Sequence, residues 1–286
     1  MSKAPAGVDQ AELTVVARNV LLDGLTALSD HLDAVTVVGA QAVYLRTQGS
    51  RLATAAYTSD GDLGLDPAVL GSEPLIQQRL REAGFELLDG NQPGLWVREL
   101  VFPGIDTPVA VELDLLVGAT VAGKGSRSAD LKPHDKMTAR RVPGLETALV
   151  DRSPMEITAL DGTDRSIHVH VAGPVALLVA KAHKIHDRLD DAATKPNRLT
   201  NKDAGDVYRL MTEIDARVTA ESFARLLADP RVGEVTATGL KYLREQFGGL
   251  DTPGVRLAVE ALAGDVPADR VARVSRAYVT ALRHLP

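Results

Sequence analysis

Asp60 and Asp62 stand one residue apart in the segment DGDLGLD, a short polar loop beyond an apolar run, AVTVVG, and the helical stretch after it. The segment alternates and reads as a β-strand, in which residues i and i+2 face the same side. Two like charges so placed repel and oppose joint ionisation. A cation between them removes the conflict. Hard carboxylate oxygens suit magnesium, with manganese as the alternative, and magnesium keeps positions open for phosphate oxygens. A third carboxylate on a neighbouring strand would complete such a site. VELDLLV offers Glu112 and Asp114, again on one strand face, and the choice between them stays open. Gly39 closes the apolar run and lets a helix begin tightly. The free N–H groups of that first turn, Ala40 included, suit a triphosphate. Strand, glycine turn, helix, Asp-x-Asp strand and later acid-bearing strand together point to phosphoryl transfer with one or two metals.

Other motifs fit less well. GAQAVY lacks the second and third glycines of a dinucleotide fingerprint, and no Gly-Lys-Ser/Thr follows to make a P-loop. Gly64 stands where a calcium loop needs its third ligand. An Asp-x-Asp also binds the metal of nucleotide-sugars in sugar transferases, and the plain alternative is a solvated strand end or turn.

The elements that must position these residues follow from periodicity. QAELTVVARNVLLDGLTALSDHL reads as an amphipathic helix, AVTVVG as a buried strand and AQAVYLRTQ as a helix. SEPLIQQRLREAG predicts a helix with Ser72 as N-cap, Glu73 and Pro74 in its first turn and Gly84 as its stop. LWVRELVF and VAVELDLLVG are alternating strands, with PGIDTP as a hairpin turn between them. VAGKGSRSADLKPHDKMTARR reads as an exposed basic loop. ALVDRSPMEI and IHVHVAG read as strands. From Pro174 onward six segments carry helical periodicity: PVALLVAKAHKIHDRL, NKDAGDVYRLMTEI, AESFARLLAD, VTATGLKYLREQFG, GVRLAVEALAG and ADRVARVSRAYVTALRHL. The expected fold class is α+β: a mixed-sheet α/β domain over 1–173, then a helical bundle over 174–286 that completes the active-site cleft.

The order of glycine turn, helix, Asp-x-Asp strand and acid-bearing strand resembles the DNA polymerase β-type nucleotidyltransferase superfamily. VAKAHKIHDR followed by NKDAGDVYRL is similar to the lysine and aspartate motifs of the AbiEii-type nucleotidyltransferase toxins, the MenT group among them. The resemblance spans about residues 35 to 210. It implies a nucleotidyltransferase-like fold, metal held by Asp60 and Asp62, phosphate contact by Lys181, an acceptor-side aspartate at Asp203 and the glycine turn at Gly39. It also implies an NTP co-substrate, the 3′ end of tRNA as acceptor, a cognate antitoxin as partner and a place in the cytoplasm. The family usually has Gly or Ser after that glycine. Ala40 keeps the backbone N–H there and forgoes a hydroxyl contact to phosphate.

The chemistry asked of these residues stands without the family. Nucleotidyl transfer puts charge on the α-phosphate and the leaving pyrophosphate, which a fixed cation stabilises. A lysine does this as a point charge. The attacking hydroxyl needs a base or an orienting carboxylate. Lys184, one turn beyond Lys181, is the rival cation. Asp206, one turn beyond Asp203, could share its role. The plain alternatives are a surface lysine on an amphipathic helix and an acid in a helix's first turn, where the dipole favours it.

His183 and His186 on a helix, and His168 and His170 on a strand, lack a third metal ligand nearby. Lys124, Arg127, Lys132, Lys136, Arg140 and Arg141 crowd the basic loop, either as a solvated surface or as a phosphate-contacting lip. Composition bounds the rest. Of 286 residues 45% are hydrophobic but 3% aromatic, so the core is built of Leu, Val and Ala. No cysteine is present, which removes disulfides, thiolate zinc sites and cysteine nucleophiles and fits a reducing cytoplasm. The net charge of −6 opposes a broad basic surface for duplex DNA. No apolar run is long enough to span a bilayer.

Overall fold

The computed structural model describes residues 9–48, 50, 58–102 and 107–285. In chain order the elements are α1 (Gln10–Ala27), β1 (Val35–Val38), α2 (Gly39–Arg46), β2 (Asp60–Leu65), α3 (Ile76–Glu82), β3 (Glu86–Leu87), β4 (Leu95–Leu100), β5 (Val109–Gly118), β6 (Arg140–Val142), β7 (Arg152–Thr158), β8 (Ser166–Ala172), α4 (Pro174–Asp190), α5 (Lys202–Glu213), α6 (Ala216–Leu227), α7 (Gly233–Phe247), α8 (Pro253–Ala261) and α9 (Ala268–Ala281). The class is α+β with a mixed open sheet. All six C-terminal segments are helices. The polar loop before Asp60 lies largely outside the described residues, as does most of the PGIDTP turn.

The chain divides into two compact units. One comprises Met1–Ala42, Tyr57–Val142 and Arg152–Ala172; the other comprises Val43–Ala56, Pro143–Asp151 and Gly173–Pro286. The helical unit therefore draws on two earlier segments besides the C-terminal helices.

The first unit holds the sheet, ordered β3-β4-β5-β2-β1-β8-β7, with β6 joined to β5. β1 runs antiparallel to β2 and parallel to β8, while β2 runs parallel to β5. Alternation sorts the two faces of the β2–β5 seam. Gly61 and Leu63 pair with Leu113 and Leu115, all buried, and a Cβ at Gly61 would press on Leu113 and on Leu21 of α1. That face is the apolar one, covered by α1. The acids occupy the opposite face. Each buried leucine contributes about 1.5–3 kcal/mol. A pair of like charges 4 Å apart costs roughly 1 to 4 kcal/mol between water and a protein surface. The apolar side of the seam can therefore hold the register against repulsion on the acidic side.

Three expectations are corrected locally. The helix after Ser72 starts at Ile76, with Leu75 as N-cap and no side-chain cap. The free amide of Ile76 donates instead to His134 Nδ1 at 3.2 Å, a cap supplied from 58 residues away, and Pro74 keeps the preceding residue out of the helical region. ALVDRSPMEI is a strand only from Arg152; Glu146–Leu149 form a 3-10 turn. The basic loop is packed. Ala122, Ala129, Leu131, His134, Thr138 and Ala139 are buried, and the fully buried Trp96 donates from Nε1 to Thr138 O at 3.0 Å. No described helix is long and apolar enough to cross a membrane.

In the second unit α4 packs on α5 and α7, and α5 on α8 and α9. Pro174 occupies the first turn of α4, where its missing N–H costs nothing. Asp151 Oδ2 accepts from the Ala176 amide at 2.8 Å and so serves as the cap that Gly173 cannot supply. A Cβ on Gly173 would overlap that carboxylate.

Candidate active site

The acidic face belongs to the first unit. β2 and β5 register Asp60 beside Glu112 and Asp62 beside Asp114. Paired positions on adjacent strands project to the same side, so four carboxylates share one patch of the sheet. Asp60, Asp62 and Glu112 are half-buried and Asp114 is 6% exposed. Both Glu112 and Asp114 are brought to the Asp-x-Asp.

Gly39 sits where β1 ends, beside this patch, because Val38 pairs with Asp62. Its φ is +66°, which L side chains rarely adopt, and a Cβ there would overlap the Asp62 carboxylate. Glycine is thus required twice, for backbone conformation and for space. Ala40 follows in the first turn of α2 with its side chain buried.

Side-chain contacts among the described residues orient the acids. Thr58 Oγ1 donates to Asp60 Oδ1 at 2.5 Å. Arg140, from β6, donates from Nη2 to Asp114 Oδ2. Burial pushes Asp114 up to about 7; Arg140 opposes the rise, while Asp62, Asp60 and Glu112 add to it. Burial, then the neighbouring Asp60, also raises Glu112. Asp114 Oδ1 is buried and has no hydrogen-bond partner among the described residues. A buried carboxylate oxygen without a donor, among hard oxygen ligands, fits a magnesium- or manganese-sized dication. Among the described residues no three acidic or histidine side chains are already gathered at metal-holding distance.

The second unit holds a separate ionic cluster. Lys181 Nζ donates to Asp203 Oδ1 at 2.7 Å and to Asp206 Oδ2 at 2.6 Å. Lys184 Nζ lies 3.2 Å from Asp203 Oδ1, and Arg188 Nη1 donates to Asp203 Oδ2 at 2.6 Å and to Thr200 Oγ1 at 2.9 Å. Residues 181, 184 and 188 lie on one face of α4, and 203 and 206 on one face of α5. Lys181, Asp203 and Asp206 are buried; the Lys184 side chain is 50% exposed. Burial alone would lower Lys181 and raise Asp203. Their mutual attraction outweighs it and, with Asp206 on one side and Lys184 and Arg188 on the other, holds the ammonium above its usual range and the Asp203 carboxyl well below its own.

Of the histidines, His168 is exposed and His170 half-buried, while two pack on one tyrosine. His183 is buried with its ring edge on Tyr242, and His186 stacks on the same Tyr242 at 3.7 Å. The six loop cations divide. Arg140 meets Asp114, Arg141 binds the carbonyls of Gly123 and Gly125, and Lys132 lies 3.8 Å from Asp130. Lys124, Arg127 and Lys136 are exposed.

Sequence reasoning missed Thr58, Arg140 facing the acids, and Arg188. Arg188 could have been found from its spacing, seven residues beyond Lys181 and four beyond Lys184. β6 is three residues long and gives too little alternation to show where Arg140 points. No family model matches this chain, and no curated protein matches it.

Proposed function

We propose that the acidic face is the cation-holding centre of a nucleotidyltransferase, which moves a nucleoside monophosphate from an NTP to an acceptor hydroxyl. The observation that carries this reading is the register of Asp60 with Glu112 and of Asp62 with Asp114, beside position 39, where the Asp62 carboxylate leaves room only for glycine. A dication bound there supplies charge neutralisation for the α-phosphate and the leaving pyrophosphate.

The chain's own residues do the rest. Asp60 and Asp62 hold the ion, with Asp114 or Glu112 as third carboxylate, and Thr58 fixes Asp60. The first turn of α2 offers N–H donors to phosphate oxygens. Lys181 already donates to two carboxylates, so we assign phosphate contact in the helical unit to the more exposed Lys184, with Lys181 positioning Asp203. Asp203 is held ionised by three cations. The likeness to the AbiEii-type toxins gives Asp203 the acceptor side of the reaction, as orienting group or base.

The acceptor is proposed as the 3′ end of tRNA and the protein as the toxin of a toxin–antitoxin system, in the cytoplasm with a cognate antitoxin. This rests on the likeness to the AbiEii-type toxins, and the exposed Lys124, Arg127 and Lys136 suit an RNA backbone. Arg140 on Asp114 and Ala40 after the glycine favour a second reading, a nucleotide-binding module without catalysis. Transfer to a small molecule or a protein is the same chemistry on another acceptor.

The test is transfer of label from each α-labelled NTP, with magnesium, to total tRNA, beside Asp62→Asn. Label on tRNA that the variant abolishes supports enzyme and acceptor together. Binding of NTP without transfer to tRNA, protein or small-molecule hydroxyls favours the silent module.

A further inference from the structure

We infer that Arg140 competes with a dication for Asp114, so that the ion must displace this guanidinium to bind. The inference rests on the acidic face being the metal centre. The strand register places Arg140. It pairs with Leu116 of β5, and residues 112, 114 and 116 of that strand share a face. Arg140 therefore projects on the acidic side and reaches back to Asp114, two residues before its partner.

The backbone that carries it is fixed. Ser128 bridges Arg140, the Gly94 amide donates to Met137 O at 2.8 Å, and a Cβ at Gly94 would overlap Arg140 N and Leu115 O. The guanidinium is thus delivered to this carboxylate by the sheet itself.

The pair is also incomplete. A guanidinium and a carboxylate at full strength share two parallel bonds. Here a single bond joins Nη2 to Oδ2, while Arg140 Nε and Asp114 Oδ1 are both buried without partners among the described residues. The Arg140 side chain is 37% exposed against 9% for Asp114. The arginine side chain is the more solvent-accessible of the two and can swing outward. Arg140 bonds one of the four carboxylates that share this face, Asp60, Asp62, Glu112 and Asp114. Replacing it with a dication satisfies more of the charge and takes up the unpartnered oxygen.

Titration of the full chain with MnCl2 alone, by calorimetry and by the paramagnetic signal of free manganese, tests this without any turnover. Arg140→Gln removes the competitor and is expected to tighten manganese binding about tenfold or more. Arg140→Lys, which keeps the charge and loses the fork, falls between. In Asp114→Asn the effect of Arg140→Gln shrinks to within about twofold. Asp62→Asn is the control for the site. If Asp62→Asn abolishes binding but Arg140→Gln binds no tighter than the parent, the displacement is wrong and the site stands. If Asp62→Asn binds manganese like the parent, or no variant binds it, both fall. Should Arg140→Gln lose its fold by circular dichroism, Arg140→Lys decides, and equal affinity there overturns the inference.

Discussion

Replacing Lys181 with methionine separates a structural from a phosphate-binding lysine. The ammonium is buried between Asp203 and Asp206, at 2.7 and 2.6 Å. Removing it leaves the two acids unequal. Asp203 keeps Arg188 at 2.6 Å and Lys184 at 3.2 Å. Asp206 is wholly buried, its Oδ1 has no partner among the described residues, and it loses the donor on Oδ2. The damage therefore concentrates at Asp206. Breaking a buried pair from one side costs about 3–5 kcal/mol. With a urea slope of at most about 3 kcal/mol per molar, the midpoint falls by about 1 M or more. The double variant Lys181→Met with Asp206→Asn removes the stranded charge and recovers most of the loss. Far-UV circular dichroism in urea reads both. A lysine reserved for phosphate would leave stability unchanged, so a Lys181→Met midpoint within about 0.3 M of the parent, or no recovery in the double variant, refutes the argument.

Gly39→Ala combines a left-handed backbone with an overlap on Asp62. It is expected to cost about 1–2 kcal/mol for the backbone alone, and more for the overlap. Asp62→Ala in the same chain should return the overlap part, measured as a double-mutant cycle in urea. The pH profile of stability has two parts, read with chelator present. Asp203 is held below its unfolded value, so its contribution is full above about pH 4 and is lost as the pH falls further. Asp114 is raised to about 7, so its contribution is full below the unfolded carboxylate range and is lost as the pH rises through 7; Asp114→Asn should flatten that upper limb. Asp151→Ala removes the remote cap of α4 and is expected to cost about 1–2 kcal/mol, seen as a lower thermal midpoint.

The acidic face was legible because strand alternation is a local signal. Asp60 and Asp62, and Glu112 and Asp114, each declare a shared face within three residues, and the glycine turn marks where β1 stops. The six C-terminal helices were legible for the same reason, since their apolar periodicity is long. What escaped is carried by distance along the chain. Ile76 is capped from His134, and α4 from Asp151. The basic loop looks solvated when its charges are counted, yet its alanines and Leu131 are buried and Arg140 turns inward. Charge content says where cations are, not which carboxylate claims them. The burial of Lys181 follows from partners 22 and 25 residues later, beyond the reach of any helical period.

Trp96 is the chain's single tryptophan, and its indole is hydrogen-bonded to Thr138 O, two residues before Arg140. Its fluorescence is therefore an intrinsic optical probe of the strand that delivers the arginine. A cation that merely swings the guanidinium aside leaves the emission maximum in place. One that draws β6 away from the sheet breaks the indole bond and changes the spectrum. The emission of the unlabelled protein thus separates side-chain release from strand movement during a manganese titration, with no reporter added.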